Sequence, residues 1–224
     1  CSGLVGSEMC IRDRLEGDIA GYRLFMSEDG VTWPNDPLAD EQTLNATTTE
    51  YTTIYNGTSP AVYFRMMAVD TNTVSSEGGP EEPLLSPSTD IYGAGFNRAT
   101  GILIVDNFDR NASWQRPYHP FARSHGDALT ANGYGFDTCT ETAVQTGEIN
   151  LDLYDVVIYF CGDDSRADES LAAADQFRLQ TYLESGGKLL ISGSEIGYDF
   201  DATTTTERNR YENLLKAKYV GDLS

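Results

Sequence analysis

Gly187-Lys-Leu-Leu-Ile-Ser-Gly-Ser-Glu-Ile-Gly-Tyr-Asp199 decides the fold. An apolar run, Leu189-Leu-Ile191, passes through Ser192 into a Gly193-x-x-x-Gly197 turn. That pattern breaks a buried strand sharply into a helix. In catalytic elbows of this shape the middle residue is a Ser or Cys nucleophile. Here it is Glu195, preceded by Ser194. The stretch therefore predicts the scaffold of a catalytic site without its expected nucleophile.

Working outward, residues 100–224 alternate strand and helix. Ile102-Leu-Ile-Val-Asp106 is a continuous apolar run, as a strand buried on both faces requires. A helix is expected around Ser124–Asn132, ending at Gly133. Gly135–Cys139 reads as a weak second strand and Tyr154–Phe160 as a strong third. Ser170–Ser185 reads as a helix with Leu171, Ala174, Phe177, Leu179 and Leu183 on one side, stopped by Gly186-Gly187. Leu189–Ser192 is the fourth strand and Arg208–Lys218 a final helix. This order predicts a parallel, doubly wound α/β sheet.

In such sheets ligands bind beyond the carboxyl ends of the strands. The four strand ends deliver Asp106 to Arg110, Cys139 with Glu141, Cys161 to Ser165, and Ser194 with Glu195. Asp106, Asp109, Asp163, Asp164 and Glu195 are thereby expected near one rim. Clustered carboxylates there could hold a divalent cation or act as acid and base. The competing reading is that they cap helix N-termini and stay solvated. A divalent cation is the one cofactor suggested, and no Asp-x-Asp-x-Asp-Gly loop supports it.

Cys161 stands where a nucleophile could sit. It would need His119 or His125, the two histidines of the chain, brought over by the long first loop. Otherwise it is a buried, inert thiol. A Cys139–Cys161 disulfide is disfavoured, because the first strand should run between them. Trp114, Tyr118, His119, Pro120 and Phe121 make the first loop aromatic-rich. It reads either as a carbohydrate-stacking lid or as a minor core under the loop.

Residues 15–90 read as β. In Gly21–Ser27, Tyr22, Leu24 and Met26 alternate onto one face, and Glu28-Asp29-Gly30 supplies a turn. Tyr51–Tyr55 is expected as a second short strand. Ala61–Asp70 is a third, with Val62, Phe64, Met66 and Ala68 on one face. Strands of this spacing suggest a β-sandwich. Residues 91–99 follow a stretch rich in Gly, Pro and acids and are expected as a linker. Residues 1–14 resemble translated sequencing-adaptor read-through and are set aside as artefactual.

The residues also carry two resemblances. Ile19–Gly30 followed by Tyr63–Asp70 resembles the central strands of a bacterial fibronectin type III module. The resemblance implies a partial sandwich without its first strands, leaving Tyr22, Leu24, Met26, Phe64 and Met66 poorly covered. Ile104–Asp109, Tyr154–Tyr159, Gly187–Gly197 and Leu215–Asp222 resemble the flavodoxin-like, class I glutamine-amidotransferase-like domain of secreted bacterial xanthan-lyase-like or golvesin-like proteins. The nucleophilic Cys of true amidotransferases would map to Glu195, so that activity does not carry over. The resemblance also implies that this domain continues beyond Ser224.

The chain has 224 residues, 40% of them hydrophobic, and a formal charge of −20. Lysine occurs at positions 188, 216 and 218 alone. A field this negative repels phosphate backbones, which argues against nucleic acid as a partner. No apolar run reaches the length of a membrane span, so membrane insertion is not expected. The expected role is a non-catalytic accessory part of a secreted or cell-surface bacterial protein, its partners polysaccharide or other domains of the same chain. The alternatives are a hydrolase or lyase using the rim carboxylates, and a structural surface spacer.

Overall fold

A computed structural model describes residues 18–75, 81–97, 99–108, 119–164, 170–202 and 204–221. The chain divides into two compact units: residues 1–97 with 111–135, and residues 98–110 with 136–224. Among the described residues no helix is long and apolar enough to cross a membrane.

The first unit is built on an antiparallel sheet of four strands. Strand β1 (Ile19–Ser27) pairs with the long β2 (Ala61–Ser75). Their register sets Tyr22 opposite Ala68, Leu24 opposite Met66 and Met26 opposite Phe64. The period-two alternation thus gathers one apolar face from both strands, as expected. β3 (Glu81–Leu85) and β4 (Tyr92–Gly95) follow one another along the other edge of β2.

Several expectations are corrected here. The apolar face is not poorly covered: Tyr22, Leu24, Phe64 and Met66 are buried with Ala39 and Leu44, and Leu38, Tyr51 and Tyr55 pack against them. The segment after β1 covers the face because it also satisfies the backbone of that strand. Tyr22 N–H donates to the Leu44 carbonyl at 2.7 Å, and Leu24 N–H to that of Ala39 at 2.9 Å. Tyr51–Tyr55 is consequently a packed loop and not a strand. The expected linker contains β4, held by pairing of Tyr92–Gly95 with Ala61–Phe64.

The helix expected within the α/β region, α1 (Phe121–Ala131), belongs to the first unit. Tyr63, which points away from the Phe64 face, donates its hydroxyl to Asp127 of α1 at 2.6 Å. Arg123, one turn earlier, pairs with Asp127 at 3.2 Å. Among the described residues, then, the unit is one sheet with loops on one face and a helix on the other. The second sheet of a sandwich is not among them.

The second unit is a parallel sheet with strand order β6-β5-β7-β8. The strands are β5 (Ile102–Asp106), β6 (Asp137–Thr140), β7 (Val156–Phe160) and β8 (Lys188–Ser192). Every residue of β5 is buried, as its continuous apolar run requires. Helices α2 (Glu141–Thr146), α3 (Ala173–Glu184), α4 (Ile196–Ala202) and α5 (Thr205–Leu215) complete it. The Thr140 side chain caps α2 by accepting from Ala143 N–H. Leu103, Val105, Val157 and Tyr159 share a core with Val144, Leu179, Tyr182 and Phe200.

The expected face of α3 is corrected in part: Leu171 and Leu179 are buried and Leu183 packs against the core, as expected. Its buried residues are Asp175, Gln176, Leu179 and Tyr182, whereas Phe177 is 63% exposed and Ala174 is exposed. The observed stripe steps by three and four residues, as a helix face must.

Candidate functional site

The carboxyl edge of the parallel sheet is where the sequence places its candidates. Asp109, Trp114 and Tyr118 lie outside the described residues. Of the rest, Asp106 and Asp164 are buried, Asp163 and Glu195 half-buried, and Ser194 exposed. Asp106 accepts from Phe108 N–H at 3.2 Å, turning the chain immediately after β5. Asp164 N–H donates to the Cys161 carbonyl at 3.1 Å, closing a tight turn after β7. Ser194 N–H donates to the Gly162 carbonyl at 3.0 Å, joining the loops that follow β7 and β8.

Beneath this edge lies a buried polar network. The Tyr159 hydroxyl sits 2.7 Å from Asp175 Oδ1 and 3.1 Å from Asn107 Oδ1. Gln145 Nε2 donates to the other Asp175 oxygen at 2.7 Å. Asn107 Nδ2 donates to the Ser170 carbonyl at 3.0 Å, and the Cys161 thiol lies 3.2 Å from that same oxygen. Ser170 N–H donates in turn to Asp199 Oδ2 at 2.9 Å. Five elements are tied together: β7, α2, α3, α4 and the turn after β5.

Burial governs the electrostatics of this network. It pushes the Asp175 carboxyl above the ordinary carboxylate range, against the hydrogen bonds from Tyr159 and Gln145. It raises the Tyr159 hydroxyl well above its usual value, and the Asp175 charge adds to the rise. Burial likewise pushes the Cys161 thiol far up, reinforced by the charges of Asp164 and Asp175. Cys139 is raised by burial too, and both cysteines are free, without a disulfide.

At the elbow, β8 ends at Ser192 and α4 begins at Ile196, so the expected strand–turn–helix is present. The Glu195 carbonyl accepts the first helical bond, from Asp199 N–H at 2.8 Å. Glu195 itself keeps negative φ, because Lys216 is the one non-glycine at positive φ among the described residues. The strained backbone of a nucleophile elbow is therefore lacking. Packing requires the first glycine of the motif and favours the second. A Cβ on Gly193 would lie 2.9 Å from Cys161 Cβ, and one on Gly197 would lie 3.1 Å from the Tyr211 hydroxyl.

His119 is placed within the first unit. Its N–H donates to Asp90, its Nδ1 lies 3.3 Å from the other Asp90 oxygen, and its ring stacks on Phe121. His125 Nδ1 lies 2.8 Å from the Phe121 carbonyl. Both histidines belong to the first unit, so within its own unit Cys161 has no imidazole to deprotonate it. Among the described residues no group of three or more His, Cys, Asp or Glu side chains is arranged to hold a metal ion.

Asp175, Tyr159, Asn107, Gln145, Ser170 and Asp199 are the residues that sequence reasoning missed. One signal was available: Tyr159 alternates onto a core face, and a buried tyrosine hydroxyl needs a partner. Searches against known protein families, curated protein sequences and solved structures find no match to this chain.

Proposed function

We propose that this chain is a non-catalytic accessory part of a secreted or cell-surface bacterial protein that processes polysaccharide or cell wall. Its role is to bind or present the substrate. On this reading residues 15–90 are a fibronectin type III-like module and residues 100–224 a flavodoxin-like, amidotransferase-like domain. The strand order supports the second assignment: it matches the flavodoxin-like order 2-1-3-4-5 through its fourth strand.

The elbow carries the non-catalytic reading. It presents Glu195 on unstrained backbone, and its Gly193 answers to packing. The Cys161 thiol, just after β7, is buried and its pKa is pushed up, so it is a poor nucleophile. The Asp175 and Asp199 carboxylates are occupied in joining loops and helices, and that of Asp106 turns the chain after β5.

The test is to incubate the whole chain with glutamine and with soluble cell-wall and plant polysaccharides. Ammonia, new reducing ends and unsaturated sugars are then measured. No turnover above the protein-free control is expected. Turnover that Glu195→Gln abolishes would overturn the reading and establish the hydrolase or lyase alternative.

A further inference from the structure

The first unit holds an aromatic pair that runs from the edge of its core to solvent. Tyr55 and Phe96 stack with ring centroids 5.2 Å apart and planes 9° from parallel. Tyr55 is fixed from several sides. Its hydroxyl donates to Glu28 Oε1 at 2.7 Å and accepts from Ser59 N–H at 2.9 Å. The Gly57 backbone lies so close to the Tyr55 ring that a Cβ there would overlap it. Phe96 is anchored by its N–H, which donates to the Pro60 carbonyl at 2.9 Å. Yet Phe96 remains 39% exposed.

An apolar ring is thus stacked on a fixed Tyr55 and left partly open to solvent. A ring locked before binding loses little conformational entropy on binding. The exposed Glu28 carboxylate beside the pair is a strong acceptor for hydroxyl donors. An aromatic face with a polar acceptor at its edge matches a pyranose ring, which has an apolar C–H face and a rim of hydroxyls. The carboxylate and the formal charge of −20 both repel anionic sugars.

We propose that Phe96, backed by Tyr55 and edged by Glu28, is a stacking platform for a sugar unit of an uncharged polysaccharide. The proposal rests on the accessory reading above and names the site that would serve it.

The test is electrophoresis of the whole chain through native gels containing hydroxyethyl cellulose, mixed-linkage β-glucan, xylan, galactomannan or polygalacturonate. Retardation by at least one uncharged glycan is expected, and none by polygalacturonate. Phe96→Leu preserves apolar packing on Tyr55 but removes the flat ring, and should weaken retention about fivefold or more. Phe96→Trp should retain it. Undiminished retention in Phe96→Leu overturns the platform and leaves the accessory reading standing. Equal retardation by polygalacturonate overturns the selection for uncharged sugars. Passage of the wild type unretarded through every gel overturns the platform together with the polysaccharide part of the reading.

Discussion

Tyr159 donates its hydroxyl to Asp175 across 2.7 Å, and both side chains are sealed from solvent. The pair joins the centre of the parallel sheet to the first turn of α3. It places an acid where the sequence pattern calls for an apolar residue.

The stability of this pair depends on pH with a definite sign. Burial raises the folded-state pKa of Asp175, so the folded chain holds that proton more tightly than the unfolded chain. The resulting stabilisation is fully present below the ordinary carboxylate pKa of about 4 and is lost as pH rises through the folded value. Asp175→Asn cannot titrate. The melting temperature of the wild type minus that of Asp175→Asn should therefore be larger at pH 4 than at pH 7. Tyr159→Phe, which strips a donor from a buried carboxylate, should cost about 1–3 kcal/mol at pH 7. A difference that is flat between pH 4 and pH 7 would show that Asp175 titrates as an ordinary acid.

An ion pair of the first unit works in the opposite direction. Arg23 grips Glu41 with two bonds, Nε to Oε2 at 2.7 Å and an Nη nitrogen to Oε1 at 2.8 Å. Arg23 hydrogen bonding lowers the Glu41 carboxyl to about 2. Its stabilisation is present above the unfolded carboxylate pKa and is lost as pH falls toward that lowered value. Both side chains are about a quarter exposed, which limits the pair to roughly 0.5–1 kcal/mol. The wild type should exceed Glu41→Gln in melting temperature at pH 7, and the gap should narrow at pH 3. A gap that stays constant across that range would mean the effect is packing and not charge.

Leu44 is fully buried, and its carbonyl accepts from Tyr22 N–H. Leu44→Ala should cost about 2–5 kcal/mol by opening a cavity over the sheet. Limited proteolysis of the variant should then cut within the segment between β1 and β2 before the wild type is cut there. A variant as protease-resistant as the wild type would mean that Leu44 does not hold that segment down.

That segment marks the limit of what could be read from the sequence. Ile102–Asp106 and the elbow were legible because each is a local pattern: one unbroken apolar run, and one apolar run closed by spaced glycines. Leu38, Ala39 and Leu44 follow no period, so their position over the sheet was not legible. Helix α1 was legible as a helix, but its placement rests on Tyr63, 64 residues distant from Asp127 in sequence. The face of α3 was misread in part because Leu171, Ala174 and Phe177 step by three, which drifts away from a 3.6-residue repeat. Its true face includes Asp175 and Gln176, whose polarity conceals them until Tyr159 and Gln145 are seen to supply the partners. At the candidate site, the positions of Asp106, Cys161, Ser194 and Glu195 at strand ends followed from topology. The bonding beneath them did not, because it joins loops distant in sequence.

Thiol reactivity tests the chemistry of the carboxyl edge of the sheet most directly. A thiolate, not a thiol, attacks electrophiles, and its population falls as the pKa rises. Cys161 is buried, its pKa is pushed far up, and the Gly193 backbone closes over its Cβ. Cys139 is also buried and raised. Neither should be alkylated by iodoacetamide at pH 7.5 in the folded chain, and both should be alkylated in guanidinium. Peptide mapping by mass spectrometry separates them from Cys1 and Cys10. Rapid labelling of Cys161 in the folded state, with Cys139 still protected, would reveal an accessible thiolate at the carboxyl edge of the sheet. Cys161 would then replace Glu195 as the residue to test for catalysis, and the accessory reading would lose one of its supports.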